Sequence, residues 1–467
     1  MAGLLCSTFI ARSTEITTEI TDVTPVQKIM MMFLAAIAVG AVLLSMPGVA
    51  VNGAMSWVDA VFMATSAMCV TGLVTLDMGR EVTTAGHVII LCLIQLGGVG
   101  IVTVATLIIL AGRRLSIEHE DMLISTVAVA GSTSARRVAL SVVGYALALE
   151  AIGAIALIAV LPGDLDWADR IWQSVFHAVS AFCNAGFSLF SNNLQGLRHN
   201  FGVNIVIMVL IILGGFGFIN LHEIVERIRS GAFHWSRFST FLKISIVMTL
   251  ILNGLGALIL LLVEAGNAFG ALPWSEKILA AVFHAVAART AGFETVPMAT
   301  FTNFSLLILV LLMYIGGVSG SCAGGIKVGT VAALFASFRA FARNDRNPVL
   351  FGRGLAYVTQ RKAAVLAMTS VFTIFLGVGA VDLFDDGLSQ HATSANNLSD
   401  YMFEVVSAAG TVGLSTGITA GLPDGAKLVL VALMFVGRLG PLLVIEAWAT
   451  SQKPEQFTSP EEVLPVG

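Results

Sequence analysis

Four short segments of this chain end alike. They read FMATSAMCVTGL (62–73), FHAVSAFCNAGF (176–187), FHAVAARTAGF (283–293) and FEVVSAAGTVGL (403–414). Each opens on Phe, runs through small residues and closes on a glycine: Gly72, Gly186, Gly292 or Gly413. From Phe to Gly is ten residues in the first, second and fourth copies and nine in the third, so the third half-helix is expected to end one residue earlier. The chemistry open to such a segment is that of the main chain. A half-helix followed by four extended residues, repeated around a common axis, would stack rings of carbonyl oxygens. Such rings can replace the hydration shell of a cation. Glycine suits the strand because it reaches backbone angles that other residues avoid. The C-terminal, partially negative ends of the half-helices would favour the same cation.

The surroundings decide whether four such strands can converge. Of 467 residues 57% are hydrophobic and only 12% charged, where an average soluble domain has about 25% charged. The net charge of −4 offers no basic face to nucleic acid. Apolar stretches long enough to span a bilayer lie at 28–47, 85–111, 137–161, 202–221, 242–263, 303–335, 363–383 and 427–449. They form four pairs, and between the members of each pair lies a shorter apolar segment, at 54–68, 168–182, 276–288 and 399–409, too short to cross. Irregular backbone survives at membrane depth only when it is buried in protein or lines a watery cavity. Recurrence at intervals of roughly 115 residues marks tandem copies of one unit. The units are drawn at 28–111, 112–230, 231–341 and 342–450, flanked by an N-terminal segment, 1–27, and a tail, 451–467.

Charge sets the orientation. Most of the 25 lysines and arginines lie in the N-terminal segment, the linkers between units and the tail; only Arg80, Arg170, Arg198, Lys277 and Lys427 fall in loops within a pair. By the positive-inside rule both termini are cytoplasmic and the half-helix loops face outward.

A second repeat interrupts the later span of each unit: QLGGVGI (95–101), LGGFGFI (213–219), YIGGVSGS (314–321) and FVGRLGPL (435–442). In the first two units the glycines are read as sites of close helix contact. The third copy continues into GGVSGSCAGGIKVGT (316–330), too rich in glycine for a continuous helix. It is either a kink packed between helices or a flexible loop beneath the strands. Of the lysines and arginines, three sit at membrane depth, where each costs about 2.5–3.5 kcal/mol on insertion scales. Lys327 could hold the loop through carbonyls or repel cations. Arg438 is expected to face the cavity near the loop. The Arg289 side chain is expected behind its strand, with Glu404 as its partner. His177 and His284 share one motif position, where a structural hydrogen bond is favoured over a metal. HEIVE (222–226) lacks the second histidine of a zinc-protease motif, no phosphate-binding loop appears, and no paired catalytic groups are found at depth, so an enzyme is not expected. The five cysteines have neither metal-ligand nor disulfide spacing.

On VSAFCNAGF, RTAGF, GTVGLS and GGIK the chain resembles the ion-conducting subunits of the Ktr/Trk/HKT superfamily of potassium transporters, over residues 28–450, and most resembles the shorter Ktr type. The resemblance implies an all-α integral membrane fold: four M1–pore-helix–M2 units in pseudo-fourfold arrangement, with eight transmembrane helices and four re-entrant half-helices. It implies a selectivity filter for K+ at Cys69, Val70, Thr71 and Gly72; Cys183, Asn184, Ala185 and Gly186; Arg289, Thr290, Ala291 and Gly292; and Gly410, Thr411, Val412 and Gly413. In the family, serine in place of the first filter glycine accompanies sodium permeation, so Gly72 implies potassium. The implied gate is the broken third M2, with Gly316, Gly317, Ser319, Gly320, Ser321, Gly324, Gly325 and Lys327, opposed by Arg438. Implied too are a homodimer in lipid, a cytoplasmic ring of nucleotide-binding regulatory subunits of the KtrA or TrkA type, a bacterial inner membrane location, and no cofactor beyond the transported K+, with Na+ as activator or coupling ion. A sodium- or proton-coupled symporter of the same fold is the alternative.

Overall fold

The computed structural model describes residues 25–111, 135–163, 165–231, 233–385, 387 and 398–440. Nearly all of it is helical. The order is α1 (Pro25–Leu44), α2 (Trp57–Met68), α3 (Thr84–Ala111), α4 (Ala135–Val160), α5 (Trp167–Phe182), α6 (Phe201–Gly215), α7 (Phe218–Arg229), α8 (Thr240–Glu264), α9 (Trp274–Ala287), α10 (Asn303–Tyr314), α11 (Val328–Arg343), a small hairpin of β1 (Val349–Leu350) and β2 (Arg353–Gly354), α12 (Tyr357–Asp385), α13 (Leu398–Gly410) and α14 (Asp424–Leu439). The tail at 451–467 and the first linker around 112–134 lie outside the described residues.

Among the described residues, α1, α4, α8 and α12 contain stretches long and apolar enough to cross a membrane. They leave Leu250, Leu258, Leu262, Phe372 and Phe375 exposed, as a helix does whose solvent is lipid. The helices that follow the half-helices are less regular, and here the sequence reading needs correction. Residues 202–221 do not form one span: α6 ends at Gly215, Gly217 takes a left-handed φ of 88°, and α7 leaves at 100° to α6. The stretch 303–335 is interrupted between Tyr314 and Val328. The last span closes at Leu439, and the rest of 427–449 lies outside the described residues.

The short helices α2, α5, α9 and α13 share one electrostatic design. Each carries an acid in its first turn, Asp59, Asp169, Glu276 or Asp400, which suits the positive end of the helix dipole. Their second halves are almost wholly buried, from Met63 to Met68 in α2 and from Phe176 to Phe182 in α5. Side chains also start them: Ser56 accepts from the Asp59 amide at 3.1 Å, and Asp166 from that of Ala168 at 3.3 Å. α9 does end early, and by two residues rather than one: it stops at Ala287, four residues after Phe283, with Ala288 as its cap, whereas α2 and α5 run six residues past Phe62 and Phe176 until Cys69 and Cys183 cap them.

The short helices α2, α5 and α13 pack between the longer helices that flank them, and α9 packs on α8 and α6. Each later helix also reaches the next short helix: α3 touches α5, α6 touches α9, α10 touches α13, and α14 returns to α2. That last contact closes a circle and carries an ion pair, Lys427 Nζ to Asp59 Oδ1 at 3.1 Å, between side chains that are largely buried. Breaking one partner of such a pair leaves a charge without compensation. Asp59→Asn and Lys427→Met should therefore each lower the unfolding midpoint of the purified protein, and a double-mutant cycle should give a coupling of about 1–3 kcal/mol. Simple additivity of the two changes would remove the closure from the stability of the fold.

Candidate functional site

The four short helices end around one point. After each helix the second strand residue is left-handed: Val70 (φ 55°), Asn184 (59°), Thr290 (70°) and Thr411 (49°). Three of these are β-branched, which makes the conformation a true outlier held at a cost of order 1–3 kcal/mol. Two residues later Gly72 (φ 95°), Gly186 (71°), Gly292 (70°) and Gly413 (94°) are left-handed as well. Hydrogen bonds to the helix ends hold the strands. Thr71, Ala185 and Val412 donate their amides to the carbonyls of Ser66, Ser180 and Ser407 at 2.7–2.8 Å. In the third copy, Ala291 donates to Ala287 at 2.9 Å.

The glycines form a ring. A Cβ on Gly72 would lie 2.5 Å from the Ala185 oxygen and 3.1 Å from Gly186 Cα. One on Gly186 would lie 2.8 Å from the Ala291 oxygen and 3.0 Å from Gly292 Cα. On Gly292 it would lie 2.5 Å from the Val412 oxygen and 3.1 Å from Gly413 Cα. On Gly413 it would overlap the Thr71 oxygen and lie 2.9 Å from Gly72 Cα. Each copy thus turns the carbonyl before its glycine toward the glycine of its neighbour.

Next to the ring, the glycine-rich segment between α10 and α11 folds back on itself. Gly316 donates to Ile326 at 2.9 Å and Val328 to Gly317 at 3.1 Å. Three backbone bonds join the segment to the bend between α6 and α7: Val318 donates to Gly215 (3.0 Å), Cys322 to Gly214 (3.1 Å), and Phe218 to Gly320 (3.0 Å). The Lys327 ammonium donates to the Ala323 and Gly324 carbonyls at 2.5 and 3.4 Å. Ser321 Oγ donates to Val318 at 2.6 Å and accepts from Ala323 at 3.2 Å. Gly324 lies below the fourth strand, with space for a Cβ only 2.8 Å from the Gly410 oxygen. Arg438 reaches in from α14, donating to the Gly97 carbonyl at 2.6 Å and to the Cys322 carbonyl.

Comparison with known proteins follows this geometry. Residues 7–455 match the TrkH family, described as cation transport protein. The chain belongs to the TrkH family of cation transport proteins. Family relatives include the Ktr system potassium uptake protein B of Bacillus subtilis (strain 168), 35% identical over 92% of this chain and 94% of that protein. The protein of the same name from Vibrio alginolyticus is 34% identical, with 94% of each chain covered. The potassium/sodium uptake protein NtpJ of Enterococcus hirae is 32% identical over 95% of this chain and 97% of its own. The crystal structure of the potassium transporter TrkH from Vibrio parahaemolyticus shares the fold, with a TM-score of 0.70 at 17% identity over 90% of this chain and 84% of that one. The relatives are transport proteins, not enzymes.

Within this family member, one expected pairing is absent. Glu404 does not meet Arg289. Its oxygens accept from Ser415 Oγ (2.6 Å), the Thr416 amide (2.9 Å) and Thr419 Oγ1 (2.6 Å), which tie the chain after the fourth strand to α13. Arg289 instead donates to the Gly316 carbonyl at 3.0 Å, at the root of the glycine-rich segment. The histidines are structural: His177 contacts Gln173 O and Ser188 Oγ at 2.8 and 3.0 Å, and His284 contacts the Ala280 and Val296 carbonyls.

Two features escaped the sequence reading. Ser66 and Ser407 accept from the amides of Gly72 and Gly413 at 3.1 and 3.0 Å, and Ser180 donates to Phe187 O at 2.7 Å. The serine shared by three motif copies was the available signal. Behind the second strand lies a buried carboxylate, Glu150 of α4, accepting from Gln95 Nε2 at 3.1 and 3.2 Å and approached by the Cys183 thiol at 3.6 Å. It stands on an unbroken helix outside both repeats, and its one signal was a lone acid inside the apolar stretch 137–161.

Because Glu404 and Arg289 serve different loops, exchanging their charges cannot restore either contact. Arg289→Glu and Glu404→Arg should each depress cation flux, and the double variant should be no better than the worse single one in rubidium uptake. Recovery in the double variant would reinstate the pair.

Proposed function

We propose that this protein takes up potassium across the plasma membrane through a filter of main-chain carbonyls. The observation that carries this reading is the glycine ring, in which each strand offers a carbonyl to the neighbouring glycine and no side chain fits. A monovalent ion that sheds water there would find oxygens in its place. The filter residues are those of the four strands, 69–72, 183–186, 289–292 and 410–413, and the fold is four M1–pore-helix–M2 units around that axis. The names of the relatives in Bacillus and Vibrio support potassium as the ion.

The gate in this reading is the segment from Gly316 to Lys327. Its support is position and attachment: it lies beneath the strands, and it is held by backbone bonds to the bend after α6 and by the cations Arg289, Lys327 and Arg438 on its carbonyls. Arg438 closes the path from the opposite side, and Lys327 holds the loop through its carbonyls. The protein works as a homodimer in a bacterial inner membrane, both termini cytoplasmic, with a ring of nucleotide-binding regulatory subunits on the linker side. The exposed row Phe335, Phe338 and Phe341 on α11 is suited to such a partner face. Symport with sodium is the second reading. It draws on the buried carboxylate of Glu150 beside the second strand and on the potassium/sodium name of NtpJ.

Expression in a bacterium unable to grow on low potassium should restore growth and rubidium uptake. Gly72→Ser should then narrow the preference for K+ over Na+ by at least about tenfold, or about 1.4 kcal/mol; an unchanged preference would count against the filter. Glu150→Gln should leave uptake independent of sodium if the pore reading holds, and abolish a sodium dependence if symport does. Arg438→Gln and deletion within Gly316–Gly325 should both raise leak flux, since the first removes charge-assisted bonds of about 1.5–3 kcal/mol each. A fall in flux with a normally inserted protein would refute the gate.

A further inference from the structure

Two linkers meet at the ends of the spans α8 and α12 and form an aromatic, cationic surface. One precedes α8, and the other is the β1–β2 hairpin before α12. Trp235 packs on Phe238 and on Phe351, with ring centroids 5.9 and 6.3 Å apart, and Phe233 packs on Phe238 at 5.1 Å. Phe238 is buried, but Ile228, Phe233, Trp235 and Phe351 stay exposed. The hairpin tip is strained. Leu350 pairs with Arg353, so Phe351 and Gly352 form a two-residue turn, and both are left-handed, with φ of 48° and 77°. Asn-Gly is the usual choice for such a turn, and a phenylalanine there is an outlier that its surroundings must maintain.

Cations surround the rings. Lys243 Nζ lies 6.0 Å from the centre of the Trp235 ring, Arg237 ends the helical turn that Trp235 begins, and Arg353 follows the hairpin tip. Arg227 and Arg229 of α7 pair with Glu223 and Glu226. Among the described residues Arg237, Lys243 and Arg353 have no such carboxylate. Residues 222–243 and 339–362 together hold ten lysines and arginines against three acids, so this surface is basic although the chain as a whole carries −4. Its place is the edge of the bilayer. β1 packs on α11, which lies against both α8 and α12, and Trp235 and Trp274 stand beyond the two ends of α8, where interfacial tryptophans settle.

We propose that this surface binds an anionic phospholipid, with Arg237, Lys243 and Arg353 on the headgroup phosphate and the Phe351 and Trp235 rings at the acyl boundary. Basic side chains beside a span attract acidic lipid, and aromatic rings rest at headgroup level. A soluble anion would leave the exposed rings uncovered, whereas the adjoining spans already face lipid. In the orientation proposed above the lipid belongs to the cytoplasmic leaflet.

The test depends neither on that orientation nor on the ion carried, because a nanodisc offers lipid to both faces. The full chain, without any other protein, is placed in nanodiscs of equal parts phosphatidylglycerol and phosphatidylcholine, moved into detergent, and its retained lipids are counted by native mass spectrometry. Phosphatidylglycerol is expected to predominate. Combining Arg237→Gln with Arg353→Gln should lower its ratio to phosphatidylcholine at least about fivefold. Phe351→Asn, which suits the left-handed turn, should at least halve the retained phosphatidylglycerol, by roughly twofold or more. Arg80→Gln, in the loop after the first strand, should change neither. No preference in the parent, an unchanged ratio in the double variant, full retention in Phe351→Asn, or an equal loss in Arg80→Gln would overturn the proposal. So would binding of inorganic phosphate by the delipidated chain with a lipid ratio indifferent to the arginines, since the surface would then serve a free anion.

Discussion

The arrangement rests on one steric constraint: four backbones approach so closely that no Cβ fits between them. At the ring each glycine's missing Cβ is replaced by an oxygen of the next strand. The constraint propagates outward. For the short helices to end at the ring, the later helices must lie against their last turns, and glycines allow that too. A Cβ on Gly97, Gly214 or Gly437 would lie 2.8 Å from the carbonyl carbon of Met68, Phe182 or Ala409. One shell of glycines thus admits the strands, and a second admits the helices that support them.

Broken helices raise a different problem. Inside a bilayer an unpaired N–H or C=O costs several kcal/mol, so an interrupted helix needs partners for the groups it releases. Two interruptions here supply each other. The turn after α6 frees the Gly214 and Gly215 carbonyls, and Cys322 and Val318 of the glycine-rich segment donate to them; Phe218 donates back to Gly320. Neither break is satisfied without the other, so a movement of the segment would strip the turn of three hydrogen bonds. Any displaced state must find replacement donors and acceptors, and a water-filled cavity is the natural source.

Much of this was legible because it is periodic. The half-helix segments read at 54–68, 168–182, 276–288 and 399–409 contain the helices Trp57–Met68 and, within a residue or two, Trp167–Phe182, Trp274–Ala287 and Leu398–Gly410. Apolarity and length locate such elements, and the shorter third motif foretold an early end to α9, by one residue where the structure shows two. The bend at Gly217 was not legible. LGGFGFI is as apolar as an unbroken span, and what bends it is a left-handed glycine stabilised by donors about a hundred residues away. Glu150 and Glu404 failed for a related reason. Their partners, Gln95 and Cys183 for the first and Ser415, Thr416 and Thr419 for the second, are polar groups whose spacing carries no period. Charge complementarity alone suggested Arg289 for Glu404, but a carboxylate already bonded to hydroxyls and an amide has no need of a distant cation.

Arg438 joins these strands of argument. Aligned on the interrupting motif, it occupies the place of Gly98, Gly215 and Gly317 in the other three copies, so one side chain projects where three are absent. Its two bonds go to carbonyls of different copies, Gly97 of the first and Cys322 of the third. Carbonyls take one bond from each terminal nitrogen of the guanidinium without cancelling its charge, which opposes a cation at the same depth. The planar fork of arginine can span two acceptors at once; a lysine would offer a single ammonium and lose one of them. One of its acceptors belongs to the glycine-rich segment, so displacing that segment would remove one of the two bonds that fix the guanidinium in place. Position of the loop and position of the charge are therefore coupled through a single shared hydrogen bond.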